Sequence, residues 1–102
     1  MKKIINGLTY DTETAAVCVK YSNDIAHNDF AFLRETLFRT KKGRFFLFAR
    51  GGAATWCAET IGNSSCYGEK IKALTVTEAR QWIEDRDINP DEVVSIFEFE
   101  SA

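Results

Sequence analysis

Thr36-Leu37-Phe38-Arg39-Thr40-Lys41-Lys42-Gly43-Arg44-Phe45-Phe46-Leu47-Phe48-Ala49 is the stretch that decides the fold. Two apolar runs flank Lys41-Lys42-Gly43. Three loop residues ending in glycine suit a type I turn followed by a left-handed bulge position, where a Cβ would clash. Such a turn sets Thr40 opposite Arg44, Phe38 opposite Phe46 and Thr36 opposite Phe48 on one face, with Leu37 facing Leu47 and Arg39 facing Phe45 on the other. Large apolar side chains on both faces predict a central pair in a sheet, with something packed on each side. A slip of one residue would exchange the faces without exposing a polar row, so the turn must fix the register.

Toward the N-terminus, Lys2 to Ile5 and Leu8 to Asp11 flank Asn6-Gly7, a dipeptide that accepts the positive φ of a type I′ turn. A short hairpin follows, with Ile5 opposite Leu8 and Ile4 opposite Thr9. After a turn at Asp11-Thr12-Glu13, Val17, Val19 and Tyr21 alternate with Ala16, Cys18 and Lys20, the period of a strand, with a helix over Thr14 to Val19 as the alternative. Ser22 to Asp29 is polar and aperiodic, a loop.

Toward the C-terminus, Gly51-Gly52 ends the central strand, and the small, polar stretch around Trp56 up to Gly68 reads as a long irregular connection. Lys70 to Leu74 alternates as a further strand. Thr75-Val76-Thr77-Glu78 is a capping box, and the helix behind it puts Ala79, Trp82 and Ile83 on one stripe and should stop near Asp87. Asn89 as cap and Pro90 at the first helical position predict a second short helix through Val93, Val94 and Phe97, with strand from Val93 to Phe99 as the alternative. The expected architecture is one α+β domain over residues 1–102. It consists of an antiparallel sheet of about four to five strands, built from the N-terminal hairpin, the central aromatic hairpin and one later strand, with one or two C-terminal helices packed on it.

A chain of 102 residues that is 45% hydrophobic, with eight Phe and one Pro, has the means for one packed core and no room for a second domain. Met1 to Ile5 turns polar at Asn6, too early for a secretory core, so the cytosol is the expected address. The net charge of −2 is near neutral, yet its distribution is uneven. Arg34, Arg39, Lys41, Lys42, Arg44 and Arg50 face one acid, Glu35. From Val76 onward Glu78, Glu84, Asp85, Asp87, Asp91, Glu92, Glu98 and Glu100 face only Arg80 and Arg86. The domain should be electrically two-sided.

Few catalytic sets can be assembled. Cys18, Cys57, Cys66 and the single His27 have the composition of a zinc site. Their nearest cysteines are too far apart in sequence for the usual knuckle, so reduced thiols and no metal or cofactor are expected. One histidine leaves little to activate a Cys or Ser nucleophile, and Gly51-Gly52 lacks the lysine of a phosphate loop. No enzyme is expected. Basic residues interleaved with aromatics on the central hairpin have the ingredients of single-strand nucleic-acid binding. If the rings are core, only the tip residues Lys41, Lys42 and Arg44 remain for a phosphate chain or an acidic protein. The acids Glu84, Asp85, Asp87, Asp91 and Glu92 are the second candidate binding surface.

These segments together resemble a known family. Ile5-Asn6-Gly7, then Tyr10-Asp11-Thr12-Glu13-Thr14-Ala15, the run Phe38 to Leu47, the Gly51-Gly52 pair, and Leu74-Thr75 opening a helix with Ala79-Arg80 and Trp82 look like a family of small bacterial prophage and mobile-element proteins. The similarity spans nearly the whole chain. It departs at Ala53 and at Trp56-Cys57, where members carry Pro and a Tyr-Ala pair. The resemblance implies no catalytic motif. Some members are anti-CRISPR proteins acting on Cas9-type effectors, which implies an inhibitor that binds a host defence nuclease or its guide RNA. A nucleic-acid-binding accessory protein that uses the basic tip is the alternative.

Overall fold

A computed structural model describes residues 1–93 and 95–97. In chain order the elements are β1 (Lys2–Ile5), β2 (Leu8–Asp11), β3 (Ala16–Ser22), β4 (Leu33–Arg39), β5 (Phe45–Gly51), β6 (Glu59–Ile61), β7 (Ser64–Cys66), β8 (Gly68–Leu74), α1 (Val76–Asp85) and a 3-10 turn at Pro90–Glu92. The α+β class holds. A four-stranded antiparallel sheet in the order β3-β4-β5-β8 forms the middle, and β1-β2 and β6-β7 are separate two-stranded hairpins.

β4 and β5 occupy the two central places, in the register that the Lys41-Lys42-Gly43 turn dictates: Phe38 pairs with Phe46, Thr36 with Phe48, Leu37 with Leu47 and Arg39 with Phe45. Gly43 adopts φ 86°, the left-handed bulge geometry, and its N–H donates to the Thr40 carbonyl at 2.9 Å while the Thr40 N–H donates to the Arg44 carbonyl at 2.8 Å. β4 begins at Leu33, ahead of the Thr36 start read from the sequence. The first hairpin also follows its turn chemistry, with Asn6 at φ 51°, Gly7 at φ 78°, and Ile5 opposite Leu8. β3 is a strand, not a helix, and a bulge between Val17 and Val19 leaves Cys18 as the extra residue.

Both faces of the sheet carry a packed layer, one of them over only part of its area. On one, Val19, Leu37, Phe45 and Leu47 meet Ala79, Trp82 and Ile83 of α1 together with Val93 and Phe97. On the other, Tyr10 of the β1-β2 hairpin lies over Phe38, Phe46 and Ile71. The Tyr10 and Phe46 rings meet edge to face at 5.4 Å, and Phe38 stacks on Phe46 at 5.0 Å. Phe46 is fully buried, so it belongs to the core and is no stacking platform for bases.

Two expectations need correction. The connection from Gly51 to Gly68 is not irregular throughout: Glu59–Ile61 and Ser64–Cys66 pair across Gly62-Asn63 as a small hairpin. Its start is equally specific, because a Cβ on Gly52 would collide with the Phe30 carbonyl, and the Gly52 N–H donates to the Phe32 carbonyl at 3.0 Å. Strands of three residues with exposed side chains leave no apolar alternation to read. The second helix is only a 3-10 turn, capped as expected by the Asn89 side chain on the Asp91 N–H, after which the Phe97 N–H donates to the Val93 carbonyl at 3.0 Å. Val94 and Phe99, which the helix and strand readings included, lie outside the described residues, as do Glu98 and Glu100.

α1 opens with the full capping box. The Thr75 hydroxyl accepts from the Glu78 N–H at 3.1 Å, and the Glu78 carboxylate accepts from the Thr75 N–H at 2.9 Å. It closes with Asp87 at φ 52°. The Ile88 N–H there donates to the Ile83 carbonyl and the Asp87 N–H to that of Glu84, the paired capping pattern that usually takes glycine. No described helix is long and apolar enough to cross a membrane.

Candidate functional site

The structure separates the sequence-predicted site residues into two groups. Lys41, Lys42 and Arg44 are exposed at the β4-β5 turn, where they border a shallow cleft of about 310 Å³ against Leu8, Thr9, Tyr10 and Asp11 of β2. Among the described residues no carboxylate lies within 4.0 Å of these three cations. They face outward because their turn projects beyond the last pair of the sheet, Arg39 with Phe45.

The acids sit past the far end of α1. Glu84, Asp85, Asp87, Asp91 and Glu92 are all exposed. Asp85 accepts from the Gln81 amide at 2.9 Å. Glu84 and Asp87 rim a cleft of about 370 Å³ whose walls are Ile83, Ile88, Pro90 and Val93. α1 carries its last turn beside Glu35 in the first half of β4, to which Arg86 is ion-paired, whereas the basic tip extends from the other end of that strand. The two charge groups are therefore held apart along the sheet.

The acidic end does not serve the helix. Carboxylates near a helix C-terminus face the negative end of the backbone dipole; the last turn of α1 holds no basic residue, and the cation at the C-cap, Arg86, is ion-paired with the buried Glu35. Asp87 adds to this by taking a left-handed position that glycine fills at lower cost. Local stability would favour other residues at these places.

The sequence reading overlooked Glu35, which it counted only as the single acid in a basic run. Glu35 is buried at 2% exposure, on the sheet face that meets α1. Its Oε1 accepts from Trp82 Nε1 at 3.1 Å and from Arg86 Nε at 2.6 Å, and its Oε2 accepts from Trp56 Nε1 at 3.0 Å. Arg86 also lies over the Tyr21 ring at 4.7 Å. A buried carboxylate with three donors, one of them its ion-pair partner Arg86, is fully engaged, so it ties β4, α1 and the Trp56 loop together. An acid at an alternate position to Leu33 and Leu37, with two tryptophans elsewhere to donate, was the available signal.

The three thiols are unpaired. Cys57 is fully buried, and burial pushes its thiol up to about 11, away from the nucleophilic thiolate. Cys18 on β3 is raised as well, first by burial, with Arg39 partly opposing it. His27 stacks on Phe32 at 4.6 Å and does not meet a cysteine among the described ring and hydrogen-bond contacts. Among the described residues no three His, Cys, Asp or Glu side chains converge as metal ligands.

No family model, no curated protein and no solved structure matches the chain.

Proposed function

We propose that this protein is a non-catalytic inhibitor that binds a nucleic-acid-handling partner, of the mobile-element kind its sequence resembles. In that role the acidic end occupies the basic channel of a Cas9-type defence nuclease and blocks guide-RNA or DNA engagement. The observation that carries the reading is the pair Glu84 and Asp87, placed at the C-terminal end of α1 on the rim of a small apolar cleft, with Asp85 beside them in the last turn. Residues that cost their own helix stability fit a surface selected for a partner. A basic groove complements the carboxylates, and Ile83, Ile88 and Val93 offer an apolar floor that excludes water from the contact.

The test is co-purification of the tagged protein with Cas9-type effectors, followed by target cleavage with and without it. Binding and loss of cleavage are expected, both reversed by Glu84→Lys with Asp87→Lys. Failure to bind or inhibit across several effector types overturns the proposal.

A second reading rests on a different observation, the unpaired exposed cations Lys41, Lys42 and Arg44. In it the protein is a nucleic-acid-binding accessory factor that grips a phosphate chain with the hairpin tip. Charge reversal of all three should then abolish RNA or DNA affinity, and unchanged affinity excludes the tip.

A further inference from the structure

On the sheet face opposite α1 the β1-β2 hairpin covers Phe38, Phe46 and Ile71 and leaves the next rows open. Lys20, Thr36 and Phe48 stand side by side across β3, β4 and β5, followed by Ser22, Arg34 and Arg50. They line an open cleft of about 580 Å³, and Thr12, from the turn after β2, also borders it.

Arg34 is directly opposite Arg50 in the β4-β5 register. Like charges facing one another across antiparallel strands weaken a sheet, so the pair is not there for the fold. No carboxylate among the described residues lies within 4.0 Å of Lys20, Arg34 or Arg50. Glu69, which pairs with Arg50 from β8, accepts from the Tyr67 hydroxyl at 3.0 Å.

The Arg34 guanidinium is held in place from behind. Its Nη1 donates to the Leu33 carbonyl at 3.2 Å and to Asn23 Oδ1 at 3.5 Å, and its Nη2 donates to the Ile25 carbonyl at 3.2 Å. These contacts leave donors over while removing most of its rotamer freedom, the condition for strong recognition of an oxyanion.

Aromatic rings flank the cations. Phe32 and Tyr67 stack at 5.7 Å with 15° between their planes, and Arg34 lies over the Phe32 ring at 5.7 Å. Tyr67 is 42% exposed and Phe30 75% exposed, and both border a second cleft with His27. The Tyr67 hydroxyl donates to Glu69, which stands opposite Arg50 in the β5-β8 register, so the ring lies close to the Arg50 row.

We infer that this face binds a single strand of nucleic acid, with Arg34, Arg50 and Lys20 on its phosphates and its bases stacked on Tyr67 and Phe30. Clustered guanidiniums beside exposed rings match a phosphodiester chain with unpaired bases. An acidic protein surface would use the cations and leave the rings idle. The surface is distinct from the hairpin tip and from the acidic end, so its outcome stands apart from both readings above.

The experiment measures fluorescence anisotropy of labelled oligo(dT) and oligo(rU) over a salt series, with thermal melts of every variant. Saturable binding that weakens as salt rises is expected. Arg50→Gln should lose at least about tenfold in affinity and show a shallower salt slope, because one phosphate contact and the counterion release that goes with it are lost. Tyr67→Ala should weaken binding without changing the salt slope. Lys41→Glu with Lys42→Glu should bind as the wild type does. Because Arg50 faces Arg34 on β4 and Glu69 on β8, the two cross-strand charge effects oppose each other, and Arg50→Gln should melt close to the wild-type temperature. Absence of binding to either oligonucleotide overturns the inference, as does full affinity in Arg50→Gln together with Lys20→Gln. A duplex that competes as well as the single strand overturns it too.

Discussion

Glu35 Oε1 accepts a hydrogen bond from Trp82 Nε1 at 3.1 Å, across 47 residues of sequence. With Trp56 and Arg86 on the same carboxylate, this contact fixes α1 and the loop after β5 to the centre of the sheet. Glu35→Ala strands two indole N–H groups and a half-buried guanidinium, and should destabilise the protein by about 3–5 kcal/mol in urea unfolding. Trp82→Phe keeps the ring and removes one donor to a charged acceptor, for a loss of about 1.5–3 kcal/mol. A loss below about 0.5 kcal/mol for Glu35→Ala would show that the carboxylate is not a structural anchor.

The two phenylalanines at the middle of β5 should behave differently. Phe46 is fully buried between Tyr10 and Phe38, and Phe46→Ala should cost about 3–5 kcal/mol. Phe48 is only half-buried at the open cleft, so Phe48→Ala should cost clearly less. Equal losses in equilibrium unfolding would contradict the layer arrangement described above.

The capping box makes helix stability depend on pH. Hydrogen bonds from Thr75 hold the Glu78 carboxyl below its ordinary value, with the backbone N–H as the larger cause. A lowered carboxylate pKa stabilises the fold above the unfolded value and loses that contribution as pH falls through the folded one. Wild type should therefore melt above Glu78→Gln at neutral pH, and the gap should close on acidification. A gap that does not change with pH would remove the charge from the explanation. Thr75→Ala should cost about 1 kcal/mol through the lost cap.

Cys57 should be the last thiol to react. Burial raises it from 9.0 to about 11, so the folded form keeps its proton while the unfolded form ionises, and stability should fall as pH rises through that interval. An aromatic disulfide reagent added to the native protein should modify the half-buried Cys66 well before Cys57. Equal rates, or a Cys57→Ala variant with the same alkaline melting curve as wild type, would count against this account.

Local chemistry made much of the fold legible. Asn6-Gly7 and Lys41-Lys42-Gly43 each fixed a turn, and the turn fixed the register, because the period of two leaves one pairing once the loop is set. Thr75 and Glu78 announced α1 by the same local logic, since a capping box spans four residues. The β6-β7 hairpin escaped notice because its strands are three residues long and exposed, with no buried face to impose a pattern. The end of α1 lacked its usual glycine, since Asp87 fills that place.

The candidate sites divide along the same line. That Lys41, Lys42 and Arg44 would be exposed follows from their place in a tight turn, and that Glu84 and Asp85 would be exposed follows from the helical stripe, so sequence alone determined both. It could not pair Glu35 with Trp56, Trp82 and Arg86, nor set Lys20 beside the facing Arg34 and Arg50. Those neighbours are far apart in the chain and meet only when strands are ordered β3-β4-β5-β8 and the helix is laid across them. Short-range turn and cap energies choose the elements, and burial of the two sheet faces decides which distant charges end up together.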